Sequence, residues 1–282
     1  MIEALEFEFM RNAIYAGIIA SIVCGVIGTL IVVNRLVFLS GGIAHSAYGG
    51  IGLAFFLQIP YIAGTIGFTL VAAFIIALAT LKAKDRSDTI IGAVWAGGMG
   101  LGVILLDLTP GYNVDLMSYL FGSILTVPGS DLIQMSVISG IVILTVIFFY
   151  NDLLAMSYDQ EFARLTGVPV NILHFLLIGM IAVSIVMFIR VAGLILIIAL
   201  LTIPPSIAEK YSDSICKMMI ISSISGCIFT LTGLWLSYIF NLTSGATIIM
   251  VAVAGFFICL AIEKTNLTKY MLRIFDKSYR GK

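Results

Sequence analysis

The stretch Asn12-Ala-Ile-Tyr-Ala-Gly-Ile-Ile-Ala-Ser-Ile-Val-Cys-Gly-Val-Ile-Gly-Thr-Leu-Ile-Val-Val33 holds no aspartate, glutamate, lysine or arginine. Coiled as an α-helix at ~1.5 Å per residue, it spans the ~30 Å hydrocarbon core of a bilayer. Eight further runs of the same kind follow, at residues 42–58, 61–81, 89–106, 132–150, 170–189, 191–207, 218–240 and 246–262, and none of them carries an acidic or basic side chain other than histidine. The composition agrees: 61% of the 282 residues are apolar, against ~45–50% in soluble chains. The expected fold is therefore all-α, a polytopic integral membrane protein with about nine transmembrane helices.

Charge excludes other classes and sets an orientation. Fifteen basic and fifteen acidic residues cancel, which leaves no basic surface for nucleic acid. With nine crossings and the amino terminus outside, 13 of the 15 Lys and Arg residues fall on the inner side and only Arg11 and Arg190 outside, as the positive-inside rule requires. This divides the chain into an extracytoplasmic segment 1–11, a transmembrane domain 12–262 and a basic cytoplasmic tail 263–282. The first run follows Glu3, Glu6, Glu8 and a single Arg11, so it reads as a span and not as a cleavable signal peptide. The seventh run is the ambiguous one. Arg190 alone separates it from the sixth, and Pro204 and Pro205 are expected to interrupt it, so it reads as broken or re-entrant and the count as eight, nine or ten.

Two connections are longer than hairpins need. The outer one, 107–131, carries Asp107, Asp115 and Asp131, with turn signals at Pro110, Gly111, Pro128 and Gly129. On the inner side, 151–169, Ser157 with Gln160 forms a capping-box pattern, Gly167 supplies a left-handed stop and Pro169 prevents continuation. A short cytoplasmic helix over 158–166 is predicted.

Missing machinery narrows the function. The sequence has no GxxxxGK[ST], hence no phosphate-cradling loop for ATP. The spans hold no carboxylate for proton or sodium coupling, so the energy for any pumping is expected from a partner. Gly98, Gly100 and Gly102 lie inside an apolar span and read as helix-packing residues. Cys24, Cys216, Cys227 and Cys259 lack CxxC spacing and read as small hydrophobes.

The polar exception inside the membrane is Ser40-Gly-Gly-Ile-Ala-His45-Ser-Ala-Tyr-Gly-Gly-Ile-Gly52. Helical spacing places Gly41, His45, Gly49 and Gly52 on one face. A neutral imidazole there can bind a first-row metal without burying a permanent charge; the alternative is a histidine bonded across a small-residue helix interface. His174 opens the sixth span and reads as a satisfied interfacial histidine.

These features in this order resemble the membrane permease of the zinc and manganese ABC uptake transporters, over essentially the whole chain. The matching pieces are Gly-Ile-Ala-His45-Ser-Ala, Asp88-Thr-Ile-Ile-Gly92, Val114-Asp-Leu-Met-Ser-Tyr-Leu-Phe-Gly-Ser-Ile-Leu125, Tyr158-Asp-Gln-Glu-Phe-Ala-Arg-Leu-Thr-Gly167, Gly193-Leu-Ile-Leu-Ile-Ile-Ala-Leu-Leu-Thr-Ile-Pro-Pro205 and Thr243-Ser-Gly245. The resemblance implies a type II-like importer permease in a bacterial plasma membrane. It further implies a second permease copy, two cytoplasmic ATP-binding subunits and an extracytoplasmic metal-binding protein, with membrane lipid around the spans. ATP hydrolysis would belong to the separate ATPase, and no cofactor would be held tightly beyond the transported metal.

The resemblance also makes the 158–167 segment the coupling helix, where Tyr158, Asp159, Glu161, Phe162 and Gly167 would engage the ATPase. Many members carry an aspartate four residues before the histidine; this chain has Gly41, so His45 is expected to be a transient pathway ligand and not part of a tight single-chain site. The 114–122 stretch looks closer to the zinc permeases, which favours zinc, with manganese or iron as alternatives. A passive metal channel or secondary carrier is the reading from a different class, and a structural membrane subunit without a pathway is a blander one.

Overall fold

The computed structural model describes residues 6–82, 86–110, 122 and 124–264. Among them are eleven α-helices: α1 (Glu8–Val33), α2 (Val37–Phe56), α3 (Tyr61–Lys82), α4 (Ser87–Asp107), α5 (Gly129–Phe148), α6 (Tyr150–Tyr158), α7 (Gln160–Leu165), α8 (Val170–Ala192), α9 (Leu194–Glu209), α10 (Ile215–Phe240) and α11 (Ser244–Lys264). Seven of them, α1, α3, α4, α5, α8, α10 and α11, are long and apolar enough to cross a membrane. Helix α2 is long but diluted by glycine, serine and histidine, and α9, at 16 residues, is apolar but short. Every expected run is thus mostly helical, although the run 191–207 is divided at Gly193 and the run 132–150 passes the end of α5, in an all-α membrane protein.

Burial arranges the helices in shells. Helices α1 and α8 are the most enclosed of the seven, whereas α4, α5 and α11 leave most of their surface outward, as lipid-facing helices must. Helix α2 packs most extensively on α4 and next on α3, α1 on α10 and α9, and α3 also packs on α8. Hydroxyls and amides join the shells: Ser21 Oγ meets Thr230 Oγ1 at 3.0 Å between α1 and α10, and Asn34 Nδ2 donates to Ser157 Oγ at 2.9 Å between the end of α1 and α6. Such bonds occupy polar groups that lipid cannot satisfy.

Two expectations need correction. Pro204 and Pro205 do not interrupt the chain; both lie inside α9, and the break falls at Gly193, whose φ of 78° is left-handed, between α8 and α9. Helix α1 comes close to the ring pair in the last turns of α9: a Cβ on Gly28 would stand 2.5 Å from the Leu201 carbonyl oxygen and 2.7 Å from Pro205 Cγ. That carbonyl is the one whose helical amide partner the Pro205 ring removes. At the α8–α9 break, a Cβ on Gly122 would overlap the Gly193 amide nitrogen, so Gly122 of the 107–131 connection rests on the break.

The second correction concerns 151–169. Much of this connection is itself helical. Helix α6 runs through Tyr158, and the predicted helix over 158–166 is reduced to α7, Gln160–Leu165. Ser157 is not its cap, since its hydroxyl donates to the Leu153 carbonyl at 2.7 Å within α6. Asp159 caps instead, in an extended conformation, with Oδ1 accepting from the amides of Glu161 (2.9 Å) and Phe162 (3.0 Å). A carboxylate takes two orphan amides at once. Gly167 does adopt the left-handed conformation, at φ 88°.

Candidate functional site

His45 sits on the face of α2 nearest α4, half-buried. The helices meet there through glycine. A Cβ on Gly52 would overlap the Gly102 carbonyl oxygen, one on Gly102 would overlap that of Tyr48, and one on Gly98 would stand 2.7 Å from Ser46 Cα. A Cβ on Gly49 would stand 2.5 Å from the Phe68 ring of α3 and 2.9 Å from the Gly98 carbonyl oxygen. Backbone therefore lies on backbone along much of the seam, and Gly49, Gly52, Gly98 and Gly102 carry out the packing expected of them. Gly41 and Gly100 do not: no atom lies within 4 Å of a Cβ placed at either. Gly41 instead leaves open space one helical turn before His45.

Because the seam is thin, side chains of α4 reach the imidazole. Trp95 stacks on it, with ring centroids 4.2 Å apart and planes 14° from parallel, and Met99 Sδ lies 3.2 Å from His45 Nδ1. Phe38, two turns before His45 on α2, tilts against Trp95 at 6.2 Å. Sequence reading missed Trp95 and Met99. Their four-residue spacing on the helix that also presents Gly98 and Gly102 was the available signal, but nothing in the sequence paired α4 with α2.

A lone imidazole and a thioether do not close a metal shell. Among the described residues no group of three or more His, Cys, Asp or Glu is placed to hold a metal ion. His174 is occupied differently: buried between α3 and α8, its Nε2 lies 2.8 Å from Thr80 Oγ1, the interfacial role read for it. The four cysteines are free. Of the outer motif 114–125, residues 114–121 and 123 lie outside the described residues, as do 1–5 and 265–282.

Helix α7 is the second feature. Ala163 is fully buried and anchors it, while Tyr158, Phe162 and Leu165 stand 70%, 62% and 86% exposed. Three unpartnered apolar groups around six residues of helix make a knob. Asp159 holds the cap, Glu161 is exposed, and Gly167 turns the chain toward α8. Tyr158 closes α6 and so flanks α7 without belonging to it.

Residues 6–263 match the ABC 3 transport family. The chain belongs to this family, the membrane permeases of metal-ion ABC uptake transporters. A membrane protein of Synechocystis, described as uncharacterized, is 46% identical over 264 residues, which covers 94% of each chain. The manganese transport system membrane protein MntC of Listeria monocytogenes is 32% identical over 254 residues, 90% of each chain. Among solved structures, PsaBC from Streptococcus pneumoniae in complex with Fab superposes with a TM-score of 0.83 at 32% identity, over 92% of this chain and 93% of that one.

Proposed function

We propose that this chain is the permease of an ATP-driven importer whose cargo is a divalent first-row transition metal, manganese in preference to zinc. The preference for zinc drawn from 114–122 gives way, because the relatives named for a metal, in Listeria and in Halalkalibacterium, are manganese transport proteins. The observation that carries the pathway is His45, half-buried in a glycine-built seam and ring-stacked in place by Trp95. A translocated ion must be released, so a single weak imidazole ligand suits transit better than a closed cage does. A second copy of the chain would add a second His45, and water would complete the shell.

The rest of the assembly is the one that membership of the family implies. Seven long apolar helices with α2 and α9 make nine crossings, with the amino terminus outside, residues 1–11 extracytoplasmic, 12–262 in the membrane and 263–282 a cytoplasmic tail. The knob of Phe162 and Leu165 on α7 seats in a groove of a cytoplasmic ATPase subunit, and an extracytoplasmic binding protein delivers the metal. Uptake of radioactive manganese by proteoliposomes holding the permease, its ATPase and the binding protein tests this. ATP-dependent manganese accumulation, displaced by unlabelled manganese more effectively than by zinc, is the expected result. Accumulation without ATP would replace the importer by a channel, and stronger displacement by zinc would reverse the metal assignment.

A further inference from the structure

Two cavities share Ile172 at the start of α8. One is an apolar groove of about 590 Å³ between α3, α5 and α8, lined by Leu70, Ile138, Val142, Phe175, Gly179 and Val183 among others. Its one hydroxyl, Thr145 Oγ1, donates to the Ile141 carbonyl at 2.8 Å, so no side-chain donor is left over for a polar ligand. Gly179 holds the groove open, since no atom lies within 4 Å of a Cβ placed there. Along α8 the lining runs from Ile172 to Val183, about 16 Å at ~1.5 Å per residue, which is half of the ~30 Å hydrocarbon core. The groove therefore matches one leaflet.

The second cavity, about 350 Å³, continues from Ile172 past the start of α8 and is lined by Arg164, Gly167, Pro169 and Asn171. Arg164 Nη2 donates to the neutral Asn171 Oδ1 at 3.3 Å, which turns the guanidinium toward the start of α8, and no ion pair among the described residues takes up its charge. Most of its five N–H donors remain free. Pro169 precedes α8 without a side-chain capping bond, so the positive end of a 23-residue helix borders the same cavity.

We propose that the two cavities form one binding site for an anionic glycerophospholipid, its acyl chain in the α3–α5–α8 groove and its phosphate at Arg164. A second copy of this chain fits less well, because its apolar helices would fill the groove and leave the arginine-lined cavity without a counter-charge.

The full-length chain, in nanodiscs made with an equal mixture of phosphatidylglycerol and phosphatidylcholine and then released into mild detergent, tests this by native mass spectrometry. Wild type is expected to keep one phosphatidylglycerol per chain in clear preference to phosphatidylcholine. Arg164→Gln, an exposed change, should lower that preference ~tenfold, the equivalent of a charge-assisted hydrogen bond of ~1.5 kcal/mol. Gly179→Phe should abolish retention of either lipid at unchanged helicity, and Gly179→Leu, filling less of the groove, should weaken it. Equal retention of the two lipids by wild type overturns the headgroup assignment. Retention by a folded Gly179→Phe or Gly179→Leu equal to wild type overturns the groove, as does loss of a wild-type dimer in those variants without loss of lipid.

Discussion

The Nδ1 atom of His45 lies 3.2 Å from Met99 Sδ, across the seam between α2 and α4. A thioether has no proton to give, so this contact is a hydrogen bond only when the proton is on Nδ1. Nε2 then keeps the lone pair that a metal requires. Trp95, stacked at 4.2 Å, fixes the plane in which that lone pair points. The seam thus holds the imidazole in a fixed orientation, and in its neutral form the ring places no permanent charge inside the membrane.

Two substitutions separate the ligand from its support. His45→Ala removes the imidazole and should abolish manganese uptake while leaving assembly and basal ATP hydrolysis near wild type. Met99→Leu conserves volume at a cost below ~1.5 kcal/mol and deletes only the sulfur acceptor, so uptake should fall and not vanish. Uptake at wild-type rate by a stable His45→Ala assembly would remove His45 from the pathway. Thermal stability that falls in proportion to activity would make the residue a packing element, worth ~0.5 to 2 kcal/mol as an interhelical hydrogen bond.

The vacancy beside Gly41 leads to a gain-of-binding experiment. Aspartate at 41 would stand four residues from His45, on the same helical face, where no atom lies within 4 Å of its Cβ. A carboxylate oxygen suits manganese better than a thioether does. Unpaired near the start of α2, the charge costs up to the ~2.5 to 3.5 kcal/mol that applies at the centre of a span. Gly41→Asp should therefore melt at a lower temperature than wild type in metal-free buffer, recover on adding manganese, and retain the ion at least ~tenfold more tightly, a change of ~1.4 kcal/mol. Metal-independent melting would show that position 41 does not adjoin the pathway.

How much of this was legible in the sequence depends on which interaction sets each feature. Long charge-free runs are fixed by the solvent, so all of them are mostly helical, the seventh with a break at Gly193, and Gly167 is fixed by local backbone geometry, so its left-handed turn was readable. Pro204 and Pro205 were misleading because they lie inside α9, packed against α1 at Gly28, a contact across more than 170 residues of chain that no local rule supplies. Ser157 fitted a capping pattern, but α6 extends past it and Asp159 captures the two amides with a stronger acceptor. Trp95 and Met99 were invisible for the same reason as Gly28: a site residue on a partner helix becomes visible only once the pairing of helices is known.

Helix α7 is stabilised by its cap and displays its apolar knob, and these roles can be separated. Asp159→Ala leaves two amides without a side-chain acceptor and should cost ~0.5 to 2 kcal/mol locally, seen as faster amide exchange across 160–165. Phe162→Ala leaves the cap intact and should weaken ATPase copurification by more than ~1 kcal/mol if the ring is an interface anchor. Copurification and ATP hydrolysis unchanged in Phe162→Ala would return α7 to the status of a connecting turn.

Gly100 and Gly102 are neighbours on α4 with opposite surroundings, and they give a direct test of the seam that holds His45. Alanine at 102 would drive its Cβ into the Tyr48 carbonyl, backbone that cannot move aside without displacing α2, whereas alanine at 100 meets no atom within 4 Å. Overpacking of this kind costs ~1 to 3 kcal/mol or more, while replacing an unneeded helical glycine gains up to ~1 kcal/mol. Gly102→Ala should therefore lower the melting temperature of the purified permease and reduce manganese uptake together, because the shift of α2 carries His45 away from Trp95 and Met99. Gly100→Ala should melt at or above the wild-type temperature with transport unchanged. Equal effects of the two substitutions, read by thermal unfolding in detergent, would mean that α2 and α4 do not meet along the glycine line, and the oriented imidazole would lose its structural basis.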